Sequence, residues 1–128
     1  MIVKHFEIQK KDLKDNKFFL LYGKNEGLIQ ETIEKSLQPI LPKNVFNYEE
    51  KEILDNINSF KEQLFNKSLF ENEKLIIIKR ITDKLASLAE ELINKNIEDI
   101  KIVFIGNVLE KKSKIRNLFE KEKIALIV

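Results

Sequence analysis

Residues 18–33, FFLLYGKNEGLIQETI, run from five consecutive apolar or aromatic positions through a glycine turn into a helical phase that sets Ile29 and Ile33 on one side. A strand that is apolar at every position expects cover on both faces, as parallel strands have when helices sandwich them. The stretch reads as strand, turn and helix, and its first half recurs along the chain. Apolar runs of strand length follow at NVFNY (Asn44 to Tyr48), LIIIK (Leu75 to Lys79), IKIVFI (Ile100 to Ile105) and IALIV (Ile124 to Val128). Helical patterns fill the gaps. The clearest joins Leu85, Leu88, Ala89, Leu92 and Ile93, with Thr82 or Asp83 placed to cap its first turn. Another joins Ile53, Ile57, Phe60 and Leu64, and the stripe Ile29, Ile33, Leu37 begins after Asn25 and is expected to stop at Pro39. Ile115, Leu118 and Phe119 mark a short last helix after Ser113. Strands that alternate with helices predict right-handed crossovers and a mainly parallel, five-stranded sheet in a three-layer α/β sandwich, one domain over residues 1–128.

The bulk composition fits such a domain and excludes several functions. The chain has 128 residues, 43% of them hydrophobic and 34% charged, and its 23 basic and 21 acidic residues leave a net charge of +2. That balance marks neither disorder nor a strongly basic nucleic-acid module. Only Arg80 and Arg116 are arginines, so planar, bidentate reading of phosphates or bases is scarce. No cysteine is present, which rules out disulfides, thiolate metal sites and a cysteine nucleophile and fits a cytoplasmic setting. The start, MIVKHFEIQKKDLKD, carries charges every few residues and reads as neither signal peptide nor membrane span. The chain stops inside its last apolar run, so it reads as the front part of something longer.

The turn after the first run is where a phosphate loop would sit, because a helix N-terminus offers free N–H groups and a positive dipole end. The positions in question are Gly23, Lys24, Asn25, Glu26 and Gly27. They depart from the G-x-x-x-x-G-K-[ST] pattern, since the glycines are four apart and Leu28 and Ile29 stand where the lysine and hydroxyl belong. Glu26 in the first turn would repel a phosphate while favouring the helix dipole. LIIIKR ends in Lys79 and Arg80, not in the acid that would hold magnesium in an ATPase or accept a phosphoryl group in a receiver domain. The turn therefore reads as structural, with no cofactor and no metal expected. His5, the only histidine, has no serine or cysteine partner nearby and reads as a strand or edge residue, and the adjacent Glu49 and Glu50 read as a helix start. Lys111, Lys112, Lys114 and Arg116 open the last helix, where they are either a solvated face or, less favoured, a contact to a phosphate backbone. No aromatic residue interleaves with them to stack on bases.

One apolar pair stands apart. In NKSLFENEK, Leu69 and Phe70 lie between polar residues just ahead of the LIIIK run. Either both tuck under the preceding helix, or they project as a plug that fills a pocket on a partner.

Taken together, FFLLYGKNEGLIQETI, NKSLFENEKLIIIKRITDKL and NVLEKKSKIRNLFEKEK resemble, in order and spacing, the N-terminal domain of the delta subunit of bacterial DNA polymerase III, the clamp-opening member of the clamp loader. The resemblance spans nearly the whole chain. It implies an AAA+ ATPase-like fold whose nucleotide site has degenerated, in agreement with the missing loop lysine and the missing acid. It implies that Ser68, Leu69 and Phe70 form the contact to the sliding clamp (the beta subunit), with Leu69 and Phe70 as the plug, and that binding loosens the ring so that DNA can enter. On this reading the chain is a non-catalytic subunit of a nucleotidyltransferase complex. Family members are longer, with a helical lid and a collar through which the gamma or tau and delta-prime subunits assemble, and DNA is met only in the assembled complex. The reading that competes is a nucleotide- or DNA-binding P-loop-like module with no clamp partner.

Overall fold

A computed structural model of the chain describes residues 2–3, 16–65, 73–95, 100–107, 112–121 and 125–127. Among the described residues six strands form one sheet: β1 (Ile2–Val3), β2 (Phe18–Tyr22), β3 (Asn44–Glu49), β4 (Lys74–Ile81), β5 (Ile100–Gly106) and β6 (Ala125–Ile127), in the order β1-β6-β2-β5-β4-β3. Every pairing is parallel. β2, β5, β4 and β3 are the body of the sheet, and β6 and β1 extend it beyond β2. Each of the five expected runs holds a strand among the described residues, which for IALIV are Ala125–Ile127. Among the described residues β1 (Ile2–Val3) adds a sixth strand to the expected five; its two apolar residues are followed at once by Lys4 and do not register as a run.

The helices are α1 (Glu26–Thr32), α2 (Glu50–Asp55), α3 (Ile57–Phe65), α4 (Ala86–Lys95) and α5 (Lys114–Lys121). Their placement follows from chirality. The chain leaves β2 past β5 and β4 to reach β3, then each later strand steps back, until β6 lands on the other side of β2. Right-handed crossovers therefore put α1 on one face and α2 to α5 on the other. The side chains divide accordingly, with the period of two that a strand imposes. Phe19, Leu21, Leu75, Ile77 and Val103 pack with Ile33, Leu37 and Leu41 on the α1 face. Phe18, Leu20, Ile76, Ile78, Ile102 and Phe104 pack with Ile53, Phe60, Leu88, Ile115 and Phe119 on the other. Phe104 and Phe119 meet edge to face with ring centroids 5.4 Å apart, an arrangement worth about 0.5–1.5 kcal/mol beyond the area it buries.

Two helical stretches differ from expectation. The stripe after Asn25 does not run as α-helix up to Pro39: regular α-helix ends at Thr32, Ile33–Leu37 forms a π turn closed by the Gln38 N–H on the Ile33 carbonyl, and Gln38–Ile40 is a 3-10 turn. The Thr32 hydroxyl donates to the Leu28 carbonyl at 2.7 Å, a side-chain bond that competes with the ladder and loosens it at that point. Pro39 sits inside the first turn of the 3-10 segment, where its missing N–H leaves no bond unmade. The stripe through Ile53, Ile57, Phe60 and Leu64 is broken between α2 and α3 by Asn56, at φ −151° and ψ 63°. The apolar phase survives the break, so the interruption does not show in the pattern of residues.

Candidate functional site

In open α/β sheets ligands sit outside the carboxyl ends of the strands, where the strand order reverses. Here that point is β2, since the connection leaving it runs to one side and the connection from β5 to β6 passes over to the other. The residues beyond it are Gly23 to Gly27. Gly23 has φ +154° with open space around it, so the glycine is required by backbone geometry and not by crowding. Lys24, Asn25, Glu26 and Gly27 are all exposed. Asn25 is the N-cap of α1 and its Oδ1 accepts from the Leu28 N–H at 3.0 Å. One of the N–H groups that a phosphate would take is thus already bonded, and Glu26 adds a negative charge to the same turn. The geometry is that of a capped strand-to-helix turn.

At the end of β4, where an ATPase needs a carboxylate, stand Lys79 and Arg80. Arg80 has φ +56° and lies at the register shift between Ile78 and Ile81. Its guanidinium meets Glu49 at 3.5 Å, with the two side chains 82% and 45% exposed, a surface pair worth little. Glu49 and Glu50 begin a helix as expected: Glu49 caps α2 in a capping box with Glu52, whose Oε1 accepts from the Glu49 N–H at 3.3 Å.

Glu50 does more than start the helix. It is 6% exposed, and the Thr82 hydroxyl donates to its Oε1 at 2.7 Å while the Thr82 backbone N–H donates to its Oε2. The contact pins the end of β4 to the first turn of α2. The residue-level signal for it is phase: Glu50 lies three before Ile53, which is buried on the same side of α2.

Thr82 also caps the 3-10 turn Asp83–Leu85 that leads into α4. Asp83 serves α5 instead, its Oδ1 accepting from the Ser113 hydroxyl at 2.8 Å and from the Ile115 N–H at 3.3 Å. The Ser113 bond, more than any other contact, holds the Asp83 carboxyl below its ordinary value; burial opposes this, and backbone N–H groups and the Lys114 charge add to it. A carboxyl depressed in the folded state contributes stability that is complete above its unfolded value and is lost as pH falls through the folded one. Asp83→Ala is expected to cost about 1 kcal/mol at pH 7, the usual size of a lost helix cap. In urea titrations the gap from the parent should narrow as pH is lowered below about 4. A gap constant from pH 7 to pH 3 would contradict this assignment.

Of the basic cluster, Arg116 is committed to the fold. Its guanidinium lies 5.4 Å from the Tyr22 ring centroid and its Nε meets Glu120 at 3.2 Å. Burial, only partly opposed by the Arg116 charge, raises the Tyr22 hydroxyl above its ordinary value. Lys112 and Lys114 are exposed. Lys111 lies outside the described residues, as do His5 and the stretch Ser68, Leu69, Phe70 in the connection from α3 to β4. The structure thus brings the Gly23 turn, Arg80 and Arg116 to the carboxyl edge, while the ends of the connection that carries Leu69 and Phe70 are at the amino edge. Among the described residues no group of three or more His, Cys, Asp or Glu could hold a metal ion, and no helix is long and apolar enough to cross a membrane. No protein-family model matches the chain, and no curated protein matches it.

Proposed function

We propose that the chain is the AAA+-like N-terminal domain of a clamp-loader delta subunit, which binds the ring-shaped sliding clamp through Leu69 and Phe70 and opens it with no nucleotide chemistry of its own. The observation that carries this reading is the apolar pair Leu69 and Phe70 in the polar connection from α3 to β4, set between a strand–glycine–helix turn and a LEKKSKIRNLFEKE stretch in the order that the delta family shows. Support for a degenerate nucleotide site comes from Asn25, which closes the N-terminus of α1, and from Lys79 and Arg80 at the end of β4. An all-parallel sheet covered on both faces, with its strand order reversing at β2, suits a P-loop-like sandwich.

The mechanism is differential binding. A ligand opens a ring only by holding the open form better than the closed one. Turning a ring that is open about one part in a hundred into one that is mostly open takes about 5.5 kcal/mol of preference. Two anchors worth roughly 2 kcal/mol each supply most of that if their pocket forms fully only in the open ring. Added in excess to clamps threaded on closed circular DNA, the chain should speed their release without ATP. A release that required magnesium and ATP would contradict the proposal.

A further inference from the structure

β3 is the last strand of the sheet, and among the described residues its outer edge pairs with nothing. Such an edge offers a row of N–H and C=O groups to any other strand, and proteins blunt it with charges, prolines, bulges or extreme shortness. β3 is not blunted in these ways: it has six residues, pairs with β4 without a register shift, and is uncharged from Asn44 to Tyr48. At its middle stands Phe46, 36% exposed, a large apolar side chain left at the surface.

The charges that flank this uncharged stretch say what fits against it. Lys43, exposed, precedes β3 and Glu49 ends it. When two copies of β3 are set antiparallel about a twofold axis through Phe46, Lys43 of each copy faces Glu49 of the other. Asn44 then faces Tyr48, Val45 faces Asn47, and the two Phe46 rings lie side by side on one face, all favourable or neutral cross-strand pairs. Other registers lose the match: an axis through Val45 sets Glu49 against Leu41, and one through Asn47 sets it against Val45. Glu49, although it meets Arg80 at 3.5 Å, stays 45% exposed, and a carboxylate can accept several bonds at once.

We propose that two copies of this chain pair through β3 in this antiparallel register, joining their sheets edge to edge with Lys43 and Glu49 exchanged across the axis. The inference does not depend on clamp binding. An interface of one strand edge falls in the small, weak class, so half-association is expected on the order of 100 µM.

Sedimentation of the 128-residue chain over a range of concentrations tests it. The parent should rise from monomer to dimer mass. Lys43→Glu alone and Glu49→Lys alone should each associate at least tenfold more weakly, because each sets like charges against each other at both ends. An equimolar mixture of the two should recover the parent's association, because every facing pair is then of opposite sign. Should Glu49→Lys unfold through loss of the α2 cap, Phe46→Lys, at an exposed position, takes its place and should abolish the dimer by setting two cations at the axis. A parent that stays monomeric to about 1 mM leaves the edge to some other strand and overturns the proposal. So does a mixture no tighter than its components, or a Phe46→Lys chain that dimerises like the parent.

Discussion

Leu69→Ala combined with Phe70→Ala is expected to weaken binding to the sliding clamp about a thousandfold while the free chain melts within a few degrees of the parent. The size follows from the anchor role. A side chain that fills a desolvated pocket typically costs roughly 2 kcal/mol or more when cut to alanine, and about 4 kcal/mol for the pair is close to three powers of ten in Kd. If both side chains project from the connection, their removal takes little buried area from the free domain, and surface substitutions of that kind stay below about 1 kcal/mol. The alternative, in which both anchor the connection to the core, predicts the opposite pattern. Large-to-small core changes cost roughly 2 to 5 kcal/mol each, so the double variant would be severely destabilised and the affinity of what remained folded would be unchanged. Melting and clamp titration of one variant separate the two readings.

The second large effect concerns the fold itself. Phe104 is at the centre of β5, is 0% exposed, and packs edge to face on Phe119 of α5. Phe104→Ala is expected to cost about 3–5 kcal/mol, a transfer loss plus a cavity that the flanking strands cannot close. Small domains are stable by only about 5–15 kcal/mol, so the variant should lose a large share of its stability and unfold at much lower urea. A loss under about 1 kcal/mol would mean that the side of the sheet covered by α2 to α5 is not sealed as described.

How much of this was legible in the residues depends on which physical effect decides each feature. The strand runs were legible because a strand covered on both faces must be apolar at nearly every position, and Phe18–Tyr22 and Leu75–Ile78 have no other reading. The α5 start was legible because Ser113 directly precedes the apolar stripe, and its backbone carbonyl accepts from the Asn117 N–H at 3.0 Å. Other features turn on interactions that leave no pattern. Asn56 breaks a helix without breaking the apolar phase. Glu50 looks like any acid at a helix start, and its burial becomes visible only when β4 brings Thr82 beside it across 32 residues of chain. Asp83, expected as a possible cap for the helix it precedes, was claimed by Ser113 and Ile115 of another helix. At the candidate site the negative signals, a missing lysine and a missing acid, were readable because phosphate and magnesium chemistry demand particular residue types. The closing of the α1 terminus by Asn25 is the geometric counterpart of that reading. The apolar pair Leu69 and Phe70 was legible only as a contrast with its polar neighbours, which is why its role is a matter for a binding experiment.

Whether Leu69 and Phe70 bind the clamp is decided by a titration of the bacterial sliding clamp with this chain by calorimetry or surface plasmon resonance, in ATP-free buffer at physiological salt. Saturable binding to the clamp is expected, needing no nucleotide and disappearing over the same concentration range in the Leu69→Ala, Phe70→Ala chain. No binding by the folded parent, or equal binding by parent and double variant, would contradict it.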